Sequence, residues 1–332
     1  MKKQELRQDP ITGDWVIIAP GRSNRPLSLI EKNKKRVIAP VKGCPFEDPQ
    51  AVGNPKPSLI YPFHPSEGKW QLQVFANKYP ALSPQFKSIQ EKEQGPYTSM
   101  SGRGYHELIV TRHHTKNFPQ LKPQDAFIVL IAVRERFLTY QKDKDIKYGF
   151  FFHNWGPTAG ASVFHPHYQL VGLPIIPPEA HLSLQGSKKF YQQHKKYAYS
   201  SVISFEKKYK QRIIAENDGA IAFTRYASKE PFDIRIFPKQ HLPFFEQSSD
   251  DVLKSVSQVL QQSLKKMSKN LKDPDYNFFL HSAPLSEQSK YSHYHWHIDV
   301  VPKISISAGM EVGSGVEVTI IDPDDSAKIL RK

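Results

Sequence analysis

Short runs dominated by β-branched and aromatic residues recur along the chain, each bounded by turn-forming residues, as half-buried strands are. Residues 15–19, 71–76, 107–111, 148–153 and 168–172 read this way, as do 220–226, 233–237, 277–281, 297–301 and 316–321. Alternation is clearest in Asp233-Ile234-Arg235-Ile236-Phe237, one face in and one face out. A helical period replaces it in two places. From about Gln124 to Lys142, behind Pro123, Phe127, Ile128, Ile131, Phe137 and Leu138 form an apolar stripe. The second helix follows Ser248 and Ser249, two N-cap residue types, with Asp250 and Asp251 suited to its first turn. Its stripe is Val252, Val256, Val259, Leu260, Leu264 and Met267. A third helical stretch is predicted over 187–217, broken near Tyr199, and the Pro-rich residues 20–66 read as loop.

These elements repeat. In each half a strand leads to a loop histidine, His114 or His241, and a long amphipathic helix follows. Next come a strand ending in His153 or His281, a loop, and a His-x-His pair, His165/His167 or His295/His297. Loop histidine to pair is 51 residues in the first half (114 to 165) and 54 in the second (241 to 295). The pattern predicts an α+β fold, one unit used twice around antiparallel sheet, with halves at 1–172 and 173–332.

Composition adds limits. A chain of 332 residues with 39% apolar and 23% charged residues is that of a globular protein with a substantial core. It contains no apolar run of about 18 residues, so no membrane-spanning helix is expected. The polar N-terminus lacks the apolar stretch of a secretion signal, and one cysteine, Cys44, permits no intrachain disulfide; together they predict a cytoplasmic location. The net charge of +14 favours anionic partners. The lysines fall in short clusters and form no long basic helix, which points to nucleotides or sugar phosphates rather than nucleic acid.

The chemistry concentrates in residues 153–172, His-Asn-Trp-Gly-Pro-Thr-Ala-Gly-Ala-Ser-Val-Phe-His-Pro-His-Tyr-Gln-Leu-Val-Gly. Gly156, Ala159, Gly160, Ala161 and Ser162 form a small-residue loop whose backbone N–H groups could cradle phosphate oxygens. If the following residues enter a strand, His165, His167 and Gln169 share one face. A neutral imidazole with one ring nitrogen held as donor aims its other lone pair at phosphorus. Gln169 can bind a phosphate oxygen without titrating. An attacking imidazole of ordinary pKa predicts that transfer fades below about pH 6.5. The second pair, His295/His297, has no glycine-rich loop before it and reads as metal-binding or structural.

With these residues the chain resembles the galactose-1-phosphate uridylyltransferase family, the transferase branch of the histidine-triad superfamily, and is similar to ADP-glucose phosphorylases. Besides His-Pro-His-x-Gln, the matching stretches are residues 9–26, 44–47 (Cys-Pro-Phe-Glu), 74–82, 104–108 (Gly-Tyr-His-Glu-Leu), 308–315 and 322–331. The resemblance implies nucleotidyl transfer by a ping-pong route, with His167 as nucleophile and Gln169 assisting. It implies phosphate contacts from Arg22, Arg25, Asn154, Gly160, Ser162 and Gln169, a nucleoside contact from Asn77 and a sugar contact from Glu311. It further implies UMP exchange between UDP-hexose and hexose 1-phosphate in galactose metabolism. The alternatives are adenylyl transfer from ADP-glucose to phosphate, or nucleotide binding without turnover. A structural zinc is implied at Cys44, Glu47, His114 and His165, with Glu47 standing where the family has a second cysteine and His113 the rival of its neighbour His114. A second metal would use His281, His295 and His297, its fourth position falling near Ser183, which leaves it incomplete. A homodimer is the expected assembly.

Overall fold

The computed structural model describes residues 3–21, 36–64 and 69–332. Arg22 and Arg25 lie outside them. The described strands, in chain order, are β1 (Glu5–Gln8), β2 (Trp15–Ile18), β3 (Leu59–His64), β4 (Lys69–Ala76), β5 (Glu91–Gln94), β6 (Tyr97–Met100), β7 (Tyr105–Thr111), β8 (Tyr148–Trp155), β9 (His167–Leu173), β10 (Ile213–Glu216), β11 (Ala220–Thr224), β12 (Ile234–Pro238), β13 (Tyr276–His281), β14 (His297–Pro302) and β15 (Glu317–Thr319). The helices are α1 (Pro123–Tyr140), α2 (Pro178–His194), α3 (Ala198–Tyr209), α4 (Asp250–Leu271), α5 (Gly309–Ser314) and α6 (Pro323–Arg331).

Ten strands form one antiparallel sheet in the order β10-β11-β12-β14-β13-β8-β9-β7-β4-β3. From either edge inward the sequence of events is the same. An outer hairpin leads to the strand preceding a long helix (β7 or β12), then to the His-x-His strand (β9 or β14), then to a central strand. The two central strands, β8 and β13, pair with each other, Asn154 opposite Asn277. The architecture is α+β, with one continuous sheet.

The long helices cover one face. Leu130, Val133 and Phe137 of α1 and Val256, Leu260 and Leu264 of α4 are fully buried in one core with Phe151, Tyr168, Phe278 and Ile298 from the sheet. The stripe read for α4 is the buried one, and the Ser249 side chain accepts the Val252 N–H as predicted for an N-cap, worth about 1 kcal/mol. Pro123 opens α1.

The third helical stretch differs from expectation. It is two helices, α2 starting nine residues earlier (178 against 187) and α3 ending at Tyr209. The break falls at Lys195, in the left-handed region at φ 54°. Residues 213–216 are an edge strand. Residues 59–64, within the expected loop, are the other edge strand, β3.

The N-terminal strands belong to the other end of the chain. β1 and β2 form a small sheet with β15, and Ile11 packs with Leu184, Tyr199 and Phe237 beside the second His-x-His strand.

Candidate active site

Strand register alone assembles the site. On β7 and β9, Val110 is opposite His167 and Leu108 opposite Gln169. On β8, Phe152 is opposite Gln169, and the same register carried two residues on brings Asn154 level with His167. Residues at these alternate positions share one face, which is the face away from α1 and α4. His167, Gln169, Asn154 and, beyond β4, Asn77 therefore lie together, and His165 stands just before β9.

The His167 imidazole is held in one tautomer. Its Nδ1 lies 3.0 Å from the His165 carbonyl oxygen and donates to it, which leaves the Nε2 lone pair for attack. Phe46 packs on the ring, centroids 5.0 Å apart. The ring is 8% exposed, and burial pushes its pKa below the ordinary histidine value. The neutral form thus persists below the pH 6.5 limit set by an unperturbed histidine.

The small-residue loop has a different role from the one expected of its backbone. Gly156 (φ 87°) and Gly160 (φ 88°) adopt conformations that favour glycine. The N–H groups of Ala159 and Ala161 donate to the Gly156 carbonyl, and that of Gly160 to Pro157. These three donors close the loop on itself and are not the phosphate cradle. The polar side chains beside His167 are those of Asn154 and Gln169, with Ser162 exposed on the loop.

Residues from the second half, which the sequence did not single out, hold this loop. Asn277 donates to Asn154 Oδ1 and to the Ala159 carbonyl, both at 2.8 Å. Asp275 accepts from the Thr158 N–H (2.8 Å) and hydroxyl (2.7 Å). Its carboxylate occupies the space a Cβ on Gly156 would need. Arg36 pairs with Asp275 and lies 4.3 Å over the Trp155 ring. Only the pairing of β8 with β13 reveals these partners.

The predicted metal ligands meet. Ligand atoms of Cys44, Glu47, His114 and His165 all lie within 4.8 Å of one another. His165 Nε2 donates to the Thr111 carbonyl (2.7 Å) and His114 Nε2 to that of Ala39 (2.8 Å). Both Nδ1 lone pairs therefore face inward, as backbone carbonyls that hold the opposite ring nitrogen arrange them around a metal. Glu47 Oε1 and His114 Nδ1 sit 2.9 Å apart, buried and with no hydrogen-bond partner. Two facing acceptors are an unfavourable arrangement that a cation between them reverses. His113 is excluded as the ligand, since its Nε2 turns to Asp125 at 3.4 Å.

The second metal set is corrected. His281, His297 and Asp299 cluster, and His295 is not among them. Asp299 is held by Arg235 through two hydrogen bonds of 2.7 and 2.8 Å, so the cluster already contains its cation and does not fit a metal. Burial raises the Asp299 carboxyl, but the Arg235 guanidinium outweighs it and holds the group well below the usual carboxylate range. His295 instead faces His241, centroids 5.2 Å apart at 80°. This repeats the His114–His165 arrangement of 5.3 Å and 87°, with Tyr197 stacked on His241 at 3.9 Å. Ser183, near the expected fourth position, hydrogen-bonds Tyr294.

Glu311 is not gathered into the site. On α5 it accepts the Ala308 N–H at 2.9 Å, and its charge acts on the Glu230 and Glu317 carboxylates, which Lys303 and, for Glu317, Lys229 oppose.

A family model described as a domain of unknown function, DUF4921, matches residues 72–331. The ADP-glucose phosphorylase of Arabidopsis thaliana is 31% identical over 335 residues, spanning 99% of this chain and 92% of the relative. The galactose-1-phosphate uridylyltransferase of Thermotoga maritima is 27% identical, spanning 99% and 98%. A solved structure of an Arabidopsis ADP-glucose phosphorylase with bound ADP-glucose superposes with a TM-score of 0.85 over 99% of both chains, at 29% identity.

Proposed function

Because the chain belongs to the galactose-1-phosphate uridylyltransferase-like family and is similar over its whole length to an ADP-glucose phosphorylase, we propose that it transfers a nucleotidyl group to phosphate through His167, with ADP-glucose as donor. The observation that carries this reading is the buried imidazole with Nδ1 fixed by a carbonyl, on the sheet face that also carries Gln169 and Asn154. Nε2 attacks the α-phosphorus. The bond from that phosphorus to the bridging oxygen breaks, glucose 1-phosphate leaves, and AMP stays on the histidine. An oxygen of inorganic phosphate then attacks the same phosphorus, the P–N bond breaks, and ADP leaves with Nε2 restored. Gln169 and Asn154 stabilise the charge gathering on the phosphoryl oxygens. Ser162, with Arg22 and Arg25, completes the phosphate contacts in this reading, and Asn77 takes the nucleoside.

The same chemistry with UDP-hexose and a hexose 1-phosphate acceptor is the second reading, which the sequence put first; the full-length similarity to the Thermotoga enzyme favours it. The similarity to the phosphorylase, at higher identity, moves the balance to adenylyl transfer.

Zinc suits the Cys44, Glu47, His114 and His165 donor set, a thiolate, a carboxylate and two imidazoles. Its role is structural. Cys44 and Glu47 flank Phe46, the ring that packs on His167, so fixing both residues fixes that contact. The two sheet halves are tandem histidine-triad-like repeats, 1–172 and 173–332, with the N-terminal strands reaching across to the second. The assembly is a homodimer, in which Glu311 of a partner copy could serve a site its own chain does not bring it to.

The test is intact-protein mass after brief mixing with ADP-glucose or, separately, UDP-glucose. An adenylyl adduct absent from His167→Ala supports the first reading. A uridylyl adduct transfers the assignment to the second. No adduct from either donor sinks both.

A further inference from the structure

His106 belongs to neither the metal cluster nor the small-residue loop, yet two hydrogen bonds fix its ring. It lies on β7 two residues from Leu108, the partner of Gln169, and so shares the face that carries Gln169 and His167. The Ala81 backbone N–H points at its Nδ1 from 3.0 Å. A backbone N–H can only donate, so Nδ1 is the acceptor and the ring proton sits on Nε2. That Nε2 lies 2.9 Å from Gln169 Oε1 and donates to it. Asn77 Nδ2, a donor because Asn77 Oδ1 takes the Tyr79 N–H at 3.0 Å, lies 3.2 Å from the same nitrogen and makes no hydrogen bond to it in this tautomer.

This chain of donors decides which end of the Gln169 carboxamide faces the phosphate. A flipped carboxamide would set its NH2 against the His106 N–H, donor against donor. With the oxygen committed to His106, the NH2 is the end left for a phosphoryl oxygen. That matters because only a donor can stabilise the negative charge that builds during transfer; the carbonyl end would repel it. We propose that His106 is the positioning residue of the nucleotidyl transfer site: its Nε2–H orients the Gln169 carboxamide so that the amide NH2 meets the phosphoryl group on His167. The proposal rests on the nucleotidyl-transfer reading. It also gives the Gly-Tyr-His-Glu-Leu stretch a physical role, since Gly104 abuts the Gly172 carbonyl and Leu82 so closely that no side chain fits there.

Two substitutions separate positioning from packing. His106→Gln keeps a donor at the place of Nε2. His106→Asn keeps an acceptor for the Ala81 N–H but has no donor long enough to reach Gln169. Each is measured for the rate of nucleotidyl-adduct formation in a single turnover over a range of donor concentration, beside Gln169→Ala and the His106→Asn/Gln169→Ala double variant. We expect His106→Asn to lower the saturating rate roughly 10- to 100-fold with half-saturation changed less than about threefold, and His106→Gln to stay within about fivefold of wild type. In the Gln169→Ala background His106→Asn should add less than about twofold, because the group it orients is gone. A wild-type rate in His106→Asn, or a full additional loss in the Gln169→Ala background, overturns the proposal while leaving nucleotidyl transfer intact. A wild-type protein that forms no adduct with ADP-glucose or UDP-glucose overturns the transfer reading and the role of His106 together. Matching melting temperatures across the variants confirm that rates, not folding, are compared. If His106→Asn does not fold, His106→Gln decides alone, its near-wild-type rate supporting the proposal and a 10-fold or greater loss with unchanged melting temperature overturning it.

Discussion

The two halves of the sheet carry histidines at the same place and put them to different use. His167 donates its Nδ1 proton to the His165 carbonyl at 3.0 Å; His297 does the same to His295 at 3.1 Å. An aromatic ring packs on each, Phe46 at 5.0 Å and Tyr199 at 4.9 Å. Tautomer and packing are therefore shared. What differs is the neighbourhood. Level with His167 are Asn154 and, two residues along, the half-buried Gln169; level with His297 are His281 and the buried Asp299. The strand opposite presents Leu108 to Gln169 but Arg235 to Asp299. Arg225 then joins Asp9, Asp233 and Asp299 into a buried ionic network, and Asp9 comes from the N-terminal segment that covers this end of the sheet. The lesson is that an aimed imidazole is not sufficient. A neutral, hydrogen-bonding neighbourhood leaves room for a phosphate, whereas a neighbourhood of matched full charges closes on itself.

The largest expected difference is chemical. His167→Ala should reduce adduct formation by about 10³-fold or more, because no other group supplies the nucleophile. His297→Ala should keep the rate within about fivefold in folded protein, its cost appearing as stability instead. Mapping the modified histidine by peptide mass closes the question, and an adduct on His297 would break the comparison outright.

Next is the ionic network. Arg235→Leu leaves Asp299 buried without its bidentate partner and should lower the unfolding free energy by about 3–5 kcal/mol. Denaturant unfolding measures it; a change below about 1 kcal/mol would mean that Asp299 is solvated or protonated and that the second half is less closed than described. The metal sites sharpen the same contrast. One divalent ion per wild-type chain is expected, lost in Cys44→Ser, since Arg235 already neutralises the His281, His297 and Asp299 cluster and the pair His241–His295 has no thiolate or carboxylate beside it in the described residues. Elemental analysis showing two ions per chain, or one that survives Cys44→Ser, would contradict the assignment.

Much of this contrast was legible in the sequence for a simple reason: strand period and histidine spacing are local. His-x-Gln on a strand puts both side chains on one face whatever the rest of the chain does, His165 lies just before that strand, and Cys44, Glu47, His114 and His165 met as expected. What escaped is set by pairing between distant strands. Asp275 and Asn277 act on the small-residue loop only because β13 adds to β8, and no spacing reveals a partner more than a hundred residues away. The alignment of His153 with His281 also fails on register. His281 is opposite His297, the level that Asn154 holds in the first half, so His153 corresponds to Leu280. A shift of one residue exchanges faces, and His153 accordingly points into the helix-covered core, its Nδ1 donating to the His167 carbonyl at 2.7 Å. Arg235 was visible as one polar residue in an alternating strand, but only Asp299 opposite it shows that the position is ionic rather than solvated.

The smallest effect concerns His281, the residue that replaces Asn154 in the second half. Burial pushes its pKa down to about 4, with Asp299 opposing and Arg235 reinforcing the shift. It is neutral in the fold, whereas in the unfolded chain it takes up a proton below about pH 6.5. The unfolded state then binds more protons than the folded one, so this group's contribution to stability is present at neutral pH and is lost as pH falls through the interval from about 6.5 to 4. Between pH 7.5 and 5.5 the loss from one such histidine is about 1.4 kcal/mol. His281→Asn, which gives the second half the first half's side chain at this level, should shrink the difference in unfolding free energy between those two pH values by about that amount, whatever it does to stability at either pH alone. A pH dependence identical to wild type would mean that His281 is already protonated in the folded protein, paired with Asp299 as a charge. In that case the closed network of the second half contains one more cation than Arg225 and Arg235 supply.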